Sequence, residues 1–365
     1  MSDQTLRIGS LCSGAGGLDM AVEQVFGART AWHCELPTLI EKKGNKTRER
    51  HNSAVDVLAH RWPGVPNHGD LIATDWLAVE PIDIMCAGWP CQPFSPAGRR
   101  KGADDERAIW PDIARAIRVV RPRIIVLENV TDVLTRGEFT RVANSLAPLG
   151  YDLRWTCLRA SDVGAPHPRD RLFILAADTT RDGWELVDTA LQLHSLRQAS
   201  ALPEAAGGAE AMRVPSVSES DSSFSRGDAV ATYLGAIVSL LPTPCASDGA
   251  PGGAADPGAR IAQGHHVQMI DVGTRPDLFG KYEPAIRRWE ALTRPAPPPS
   301  EPNSKGKPRL NPAFPEWMMG WPAGWVTAVP GISRNDQLRI IGAGVVPQQA
   351  AAAVRSLLAV SKAQR

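Results

Sequence analysis

Between residues 6 and 177, short apolar runs alternate with longer stretches whose apolar residues recur at helical spacing. The runs at 6–11, 30–34, 82–87, 123–127, 153–158 and 172–176 are short enough, and bounded sharply enough by polar residues, to predict strands. Residues 18–26 and 113–120 carry the wider, helix-like spacing. Strand and helix in alternation predict an α/β fold, with βα units wound around a mostly parallel sheet.

The pattern weakens after Asp178. Residues 179–304 are rich in Ala, Gly, Pro and Ser and include a proline run at 295–300. That composition reads as linker, yet 233–241 and 282–292 look structured, so the expectation is a smaller, irregular second domain. Regular patterning resumes at 309–325 and ends in an alanine-rich helix over 348–360. The expected division is 1–178, then 179–325, then a segment 326–365 that returns to the first part.

Composition narrows the class. At 365 residues the chain is long enough for one large core and one small one. With 43% hydrophobic and 22% charged residues it reads as a globular protein rather than a disordered one. No apolar run approaches the roughly 20 residues of a membrane span, and the polar start is no signal peptide, so a cytoplasmic location is expected. The six cysteines form no CxxC pair, which argues against a zinc site or a disulfide framework; no metal is expected. A net charge of +1 leaves nucleic acid open, because binding needs a basic face rather than a basic total. Local basic runs exist at Arg99-Arg100-Lys101, at Lys42-Lys43 with Lys46, Arg48 and Arg50, and at Arg169 with Arg171. The plain reading of each run alone is a solvated surface.

Ligands of an open parallel sheet bind beyond the carboxyl ends of its strands, so the residues following each strand matter most. The first strand is followed by Cys12-Ser13-Gly14-Ala15-Gly16-Gly17 and then a helix. Glycines let the backbone turn tightly and approach a ligand, and a helix N-terminus favours anionic groups. Asp19 stands where a dinucleotide fingerprint would have its third glycine, so the loop alone is a weak sign of a nucleotide or S-adenosylmethionine (SAM) site. Glu35 follows the second strand, suited to ribose hydroxyls, and Gly69-Asp70 offers a further acidic contact. After the run 82–87 comes Gly88-Trp89-Pro90-Cys91-Gln92-Pro93-Phe94-Ser95, where two prolines stiffen the loop that carries a cysteine. Glu128-Asn129-Val130 closes the next strand, a carboxyl where partial burial would raise its pKa. A thiol, a carboxyl and a cofactor turn thus converge on one sheet edge.

In this order and spacing the chain resembles the cytosine-5 DNA methyltransferases over 6–177 and 309–354. The glycine loop looks like the family's SAM loop, Pro90-Cys91-Gln92 like its nucleophile loop, and Glu128-Asn129-Val130 like its Glu-Asn-Val. Arg169-Asp170-Arg171 is similar to its paired arginines. Arg309-Leu310-Asn311-Pro312 through Gly320-Trp321-Pro322 resembles the motif that closes its target-recognition region, and 342–347 its last, cofactor-side motif.

The resemblance implies a Rossmann-like SAM-dependent methyltransferase sheet, with 179–325 as the target-recognition domain. It implies Cys91, Glu128, Arg169 and Arg171 as catalytic residues. Cofactor contacts would be Cys12, Gly14, Ala15, Gly16, Gly17, Glu35, Asp70, Leu71, Pro90, Trp110 and Gly344. Gln92, Ser95, Arg99, Arg100 and Lys101 would touch DNA. The implied partner is double-stranded DNA, bound by a monomer in restriction-modification or host-defence evasion, and a cognate endonuclease is not deducible.

Three departures stand out. Ala343 follows Gly342 where the family has Asn, His167 stands where it has Gln, and 41–52 looks like an extra basic segment. A tRNA cytosine-5 methyltransferase and an inactive DNA-binding relative are the alternative readings. The long stretch from 177 to 309 favours the DNA enzyme, and Ala343 keeps the inactive relative open.

Overall fold

The computed structural model describes residues 5–43, 46–89, 109–135, 137–186, 189, 230–233, 236–249, 255–263, 265–275 and 280–363. Its centre is a six-stranded sheet of order β2-β1-β5-β6-β8-β7. The strands are β1 Arg7–Leu11, β2 Arg29–Cys34, β5 Ile84–Gly88, β6 Ile124–Asn129, β7 Tyr151–Arg159 and β8 Asp170–Asp178. All six match the expected runs. The sheet is more mixed than expected: β2, β1, β5 and β6 are parallel, whereas β8 runs antiparallel to both β6 and β7.

Central strands buried on both faces need apolar residues throughout rather than alternation. In β6, each of Ile124, Ile125, Val126 and Leu127 is wholly buried. Helix α1 (Gly17–Phe26) covers one face of the sheet together with the C-terminal helix Pro347–Ala363. Helix α3 (Trp110–Val120) covers the other, with Pro111 in its first turn and Arg121 in the left-handed region closing it. The C-terminal helix is longer than the expected 348–360 and packs directly on α1, β7 and β8.

A separate core gathers Trp289, Leu310, Phe314, Trp317, Trp321, Leu338 and Ile341. It also takes in Ala15, Val57, Ala160 and Ala165 from the first half of the chain. The cut at 325 therefore passes through this core, because helix Arg334–Ala343 packs into it, and Val345 with the last helix returns to the sheet.

Several elements were not foreseen, among them one beside the candidate site. Residues Thr38–Lys43 (β3) and Lys46–His51 (β4) form an antiparallel hairpin, and Ala54–Arg61 (α2) follows it. The extra basic segment is this hairpin. Arg50 anchors it to the helix Arg334–Ala343 through Asp336 at 2.8 Å. Among the described residues, no helix is long and apolar enough to cross a membrane and no His/Cys/Asp/Glu group could hold a metal.

Candidate active site

The chain passes from β1 to β2 on one side and reaches β5 on the other, so the carboxyl ends of β1 and β5 flank a topological switch point. A pocket lies there. It is walled by Ser10 to Ala15, by Gly17 to Asp19 of α1, by Gly88 and Glu128, and by Ala343, Gly344 and Val345.

The glycine loop is shaped by backbone sterics. Cys12, Gly14 and Gly16 all have positive φ, and the Cys12 amide donates to the Cys34 carbonyl at 2.9 Å. A Cβ on Gly17 would sit 2.4 Å from the Val345 carbonyl oxygen, so only glycine lets the 343–345 segment come this close. Two indoles brace the approach: Trp321 donates to the Val345 carbonyl and Trp325 to the Ala15 carbonyl, each at 2.9 Å. Sequence reasoning read Trp321 as part of a recognition-side motif and passed over Trp325. Their role as braces depends on contacts distant in the chain, for which the sequence carries no local signal.

Glu35 binds the loop rather than standing free. One carboxylate oxygen accepts from the Gly14 amide at 2.9 Å and the other from the Asn52 side chain at 2.7 Å. Burial raises its pKa, and these two hydrogen bonds pull the other way. Asn52 ends the basic hairpin, which ties that hairpin to the candidate cofactor site. Asp70 is exposed and accepts from the Ile72 amide at 2.8 Å, whereas Leu71 is buried under the sheet. Neither lines the pocket.

Glu128 ends β6 and is buried, with one oxygen 2.9 Å from Arg171 Nε. β8 runs antiparallel to β6, so Arg171 at its start lies at the same edge as the end of β6. Next to Glu128, the Asn129 amide donates to the Trp89 carbonyl at 3.2 Å, fixing the point where the chain leaves β5 for Cys91. The rings of Trp89 and Trp110 then stand 5.3 Å apart, which brings the two ends of the 90–108 stretch together. Pro90, Cys91, Gln92, Ser95, Arg99, Arg100 and Lys101 lie outside the described residues.

Two expected site residues have buried structural partners. Trp110 is 1% exposed, packs in the sheet core and donates to Ser145 at 3.2 Å, so it supports the β5 exit instead of lining the pocket. Arg169 was expected to act less directly than Arg171, and its guanidinium is buried among the carbonyls of Pro244, Gly342 and Gly344. It clamps the last motif, and Gln349 in turn donates to the Arg169 carbonyl at 2.8 Å. His167 is buried, bonded to the Met318 carbonyl at 3.1 Å, and pushed down to about 3 by burial and the neighbouring arginines. Its hydrogen bond places it as a link to the second core.

Burial raises the pKa of Cys12, Cys34, Cys86, Cys157 and Cys245 alike, so each stays a thiol at neutral pH. None of the described cysteines is an activated nucleophile.

Type II methyltransferase M.NlaIV of Neisseria lactamica is 30% identical over 183 residues, 47% of this chain and 41% of that protein. Type II methyltransferase M.HhaI of Haemophilus parahaemolyticus is 29% identical over 174 residues, 47% of this chain and 48% of that protein. The match thus spans less than half the length of these curated relatives. Dnmt2 methyltransferase of S. pombe shares the fold at a TM-score of 0.56 and 16% identity, covering 98% of this chain and 99% of that one. A putative DNA modification methyltransferase from an E. coli prophage does so at 0.51 and 16%, covering 97% and 100%. The family profile described as C-5 cytosine-specific DNA methylase matches residues 6–206, more than half of the sequence, and the chain belongs to that family.

Proposed function

We propose that the chain methylates C5 of cytosine in duplex DNA through a covalent Cys91 adduct. The observation that carries this reading is the shared pocket, where the glycine loop, Glu128 and the 343–345 segment meet at the switch point. Members of the family use SAM, which when bound supplies an electrophilic methyl group on a sulfonium. The residues present suit it: the open backbone of 12–17 for close approach, Glu35 beside the loop for ribose hydroxyls, and the exposed Asp70, outside the pocket wall, as the acidic group left for the adenine amino group.

Cytosine C5 is a poor nucleophile, so the base needs activation first. The Cys91 thiolate adds to C6, forming the S–C6 bond and moving the C5–C6 π electrons onto C5. Glu128 holds the base at N3 and N4 and steadies the enamine, while Arg171 holds Glu128 in place and faces the base at O2. C5 takes the methyl group. The C5 proton then goes to a solvent base, and its bonding electrons reform the double bond as the thiolate leaves. A stacked base is out of reach, so the target is flipped out at a cost of a few kcal/mol. Arg99, Arg100 and Lys101 would meet phosphates, and 179–325 would read the sequence. The curated relatives are type II methyltransferases, which supports a restriction-modification setting.

A duplex carrying 5-fluorocytosine at the target site tests the mechanism. Fluorine cannot leave as the proton does, so native protein and SAM should give an adduct stable on a denaturing gel. Cys91→Ser should give none and should lose methyl transfer. Full methylation by Cys91→Ser would sink the mechanism.

A further inference from the structure

Asp19 lies in the first turn of α1 and is 0% exposed. Neither of its carboxylate oxygens has a hydrogen-bond partner. The nearest basic group is His33 Nδ1 at 3.5 Å, beyond the distance of a well-formed hydrogen bond, and both His33 ring nitrogens are unpartnered as well. A buried carboxylate without a partner costs several kcal/mol, of which the positive end of α1 offsets only part. The site therefore holds a buried carboxylate whose oxygens accept no hydrogen bond, with His33 alone among the described residues near enough to pair with it.

Asp19 also walls the pocket, beside the glycine loop and opposite Ala343, Gly344 and Val345. A pocket with a carboxylate in its wall whose oxygens accept no hydrogen bond suits a ligand that brings a cation. We infer that Asp19 accepts the α-ammonium of the amino-acid end of SAM, which makes it a cofactor-positioning residue. This rests on the reading of the pocket as a SAM site. Glu35 and Asp19 then divide the ligand, Glu35 serving the ribose and Asp19 the amino acid. The rival role is a buried ion pair with His33 that serves only the fold.

Three probes separate these roles by calorimetric binding: S-adenosylhomocysteine, its analogue lacking only the amino group, and methylthioadenosine, which lacks the amino-acid arm. Native protein should bind the deaminated analogue about tenfold or more weaker than S-adenosylhomocysteine, the loss expected for one charge-assisted hydrogen bond. Asp19→Asn should remove that difference, leave methylthioadenosine affinity unchanged and not lower the melting temperature of the free protein. His33→Gln should keep the preference for the amino group. Equal affinity of native protein for S-adenosylhomocysteine and its deaminated analogue would overturn the assignment, whatever the variants do. So would parallel loss of all three ligands in Asp19→Asn, a variant melting well below native protein, or a His33→Gln that reproduces its effect. Failure of native protein to bind any of the probes would instead overturn the SAM reading itself.

Discussion

Glu128 and Arg171 meet at the edge where β6 ends and β8 begins, with Arg171 Nε 2.9 Å from Glu128 Oε1. Both side chains are largely sheltered, at 10% and 20% exposure, so the pair is held more firmly than a surface ion pair. It fixes the carboxyl of Glu128 on the pocket side of the sheet. Glu128→Gln keeps the shape but loses the charge-assisted contact to Arg171 and the carboxyl that would meet the base. Methyl transfer to a duplex, followed by labelled methyl incorporation, should fall by roughly 10²–10⁴-fold. SAM affinity should change little. Equal activity of variant and native protein would remove Glu128 from the mechanism.

Arg169 makes a different prediction from its neighbour. Its guanidinium is buried and serves backbone carbonyls on both Pro244 and the last motif. Arg169→Met strands these acceptors and should cost about 3 kcal/mol or more in denaturant unfolding. Lysine should not rescue it, because one ammonium cannot reproduce a planar fork of donors. A variant as stable as native protein but inactive would return Arg169 to the role the sequence suggested.

The sheet was legible because its strands are buried on both faces, which writes them as continuous apolar runs such as Ile124 to Leu127. The glycine loop, Glu128 and Arg171 were legible because they sit at strand ends, where sequence position and sheet edge coincide. The packing of Trp110 and Arg169 was not legible, for the opposite reason. The direction of each side chain is set by a distant partner, Ser145 for one and Gly342 with Gly344 for the other. The hairpin β3–β4 escaped because Lys42, Lys43, Lys46 and Arg48 break up the apolar alternation that marks a half-buried strand.

Glu35 carries a cost for its function. Burial holds its pKa above the ordinary carboxylate value, so the folded protein binds a proton there more readily than the unfolded chain does. That contribution to stability is fully present below the ordinary glutamate range and is lost as pH rises through the raised value. Glu35→Gln should flatten this slope, and the free variant should melt no lower than native protein at neutral pH. SAM should bind about tenfold or more weaker, since the ribose hydroxyls lose an ionised acceptor. Thermal melts across pH and calorimetric titration check the two halves separately. Unchanged SAM affinity would take Glu35 out of the cofactor site.

His167 has the opposite sign. Its pKa is pushed down to about 3, so the unfolded chain takes up a proton near the ordinary histidine value while the folded protein does not. Its stability contribution is present above about pH 6.5 and declines as pH falls toward 3, costing about 2 kcal/mol by pH 5. His167→Gln can still donate to the Met318 carbonyl and has no charge to acquire. It should match native protein at pH 8 and melt higher at pH 5. Identical acid sensitivity in both proteins would place the cause elsewhere, with the buried carboxylates as the next groups to test.

Ala343 tests whether the last motif has lost function. The residue is exposed, lines the pocket and lies between Gly342 and Gly344, whose carbonyls Arg169 holds. Its backbone is therefore fixed while its side chain faces open space, so a larger side chain should enter without moving the motif. Ala343→Asn adds the amide that the family carries here, with a donor and an acceptor for SAM or for the loop that holds Cys91. One such hydrogen bond is worth about 1 kcal/mol, which predicts SAM affinity or methyl-transfer rate rising about fivefold with little change in melting temperature. Isothermal titration with SAM and single-turnover methylation separate the two outcomes. A gain in affinity alone places the amide on the cofactor, and a gain in rate alone places it on the active loop. If neither changes, the native chain has already compensated for the alanine, and Trp321, which holds the adjacent Val345 carbonyl, is the first residue to examine.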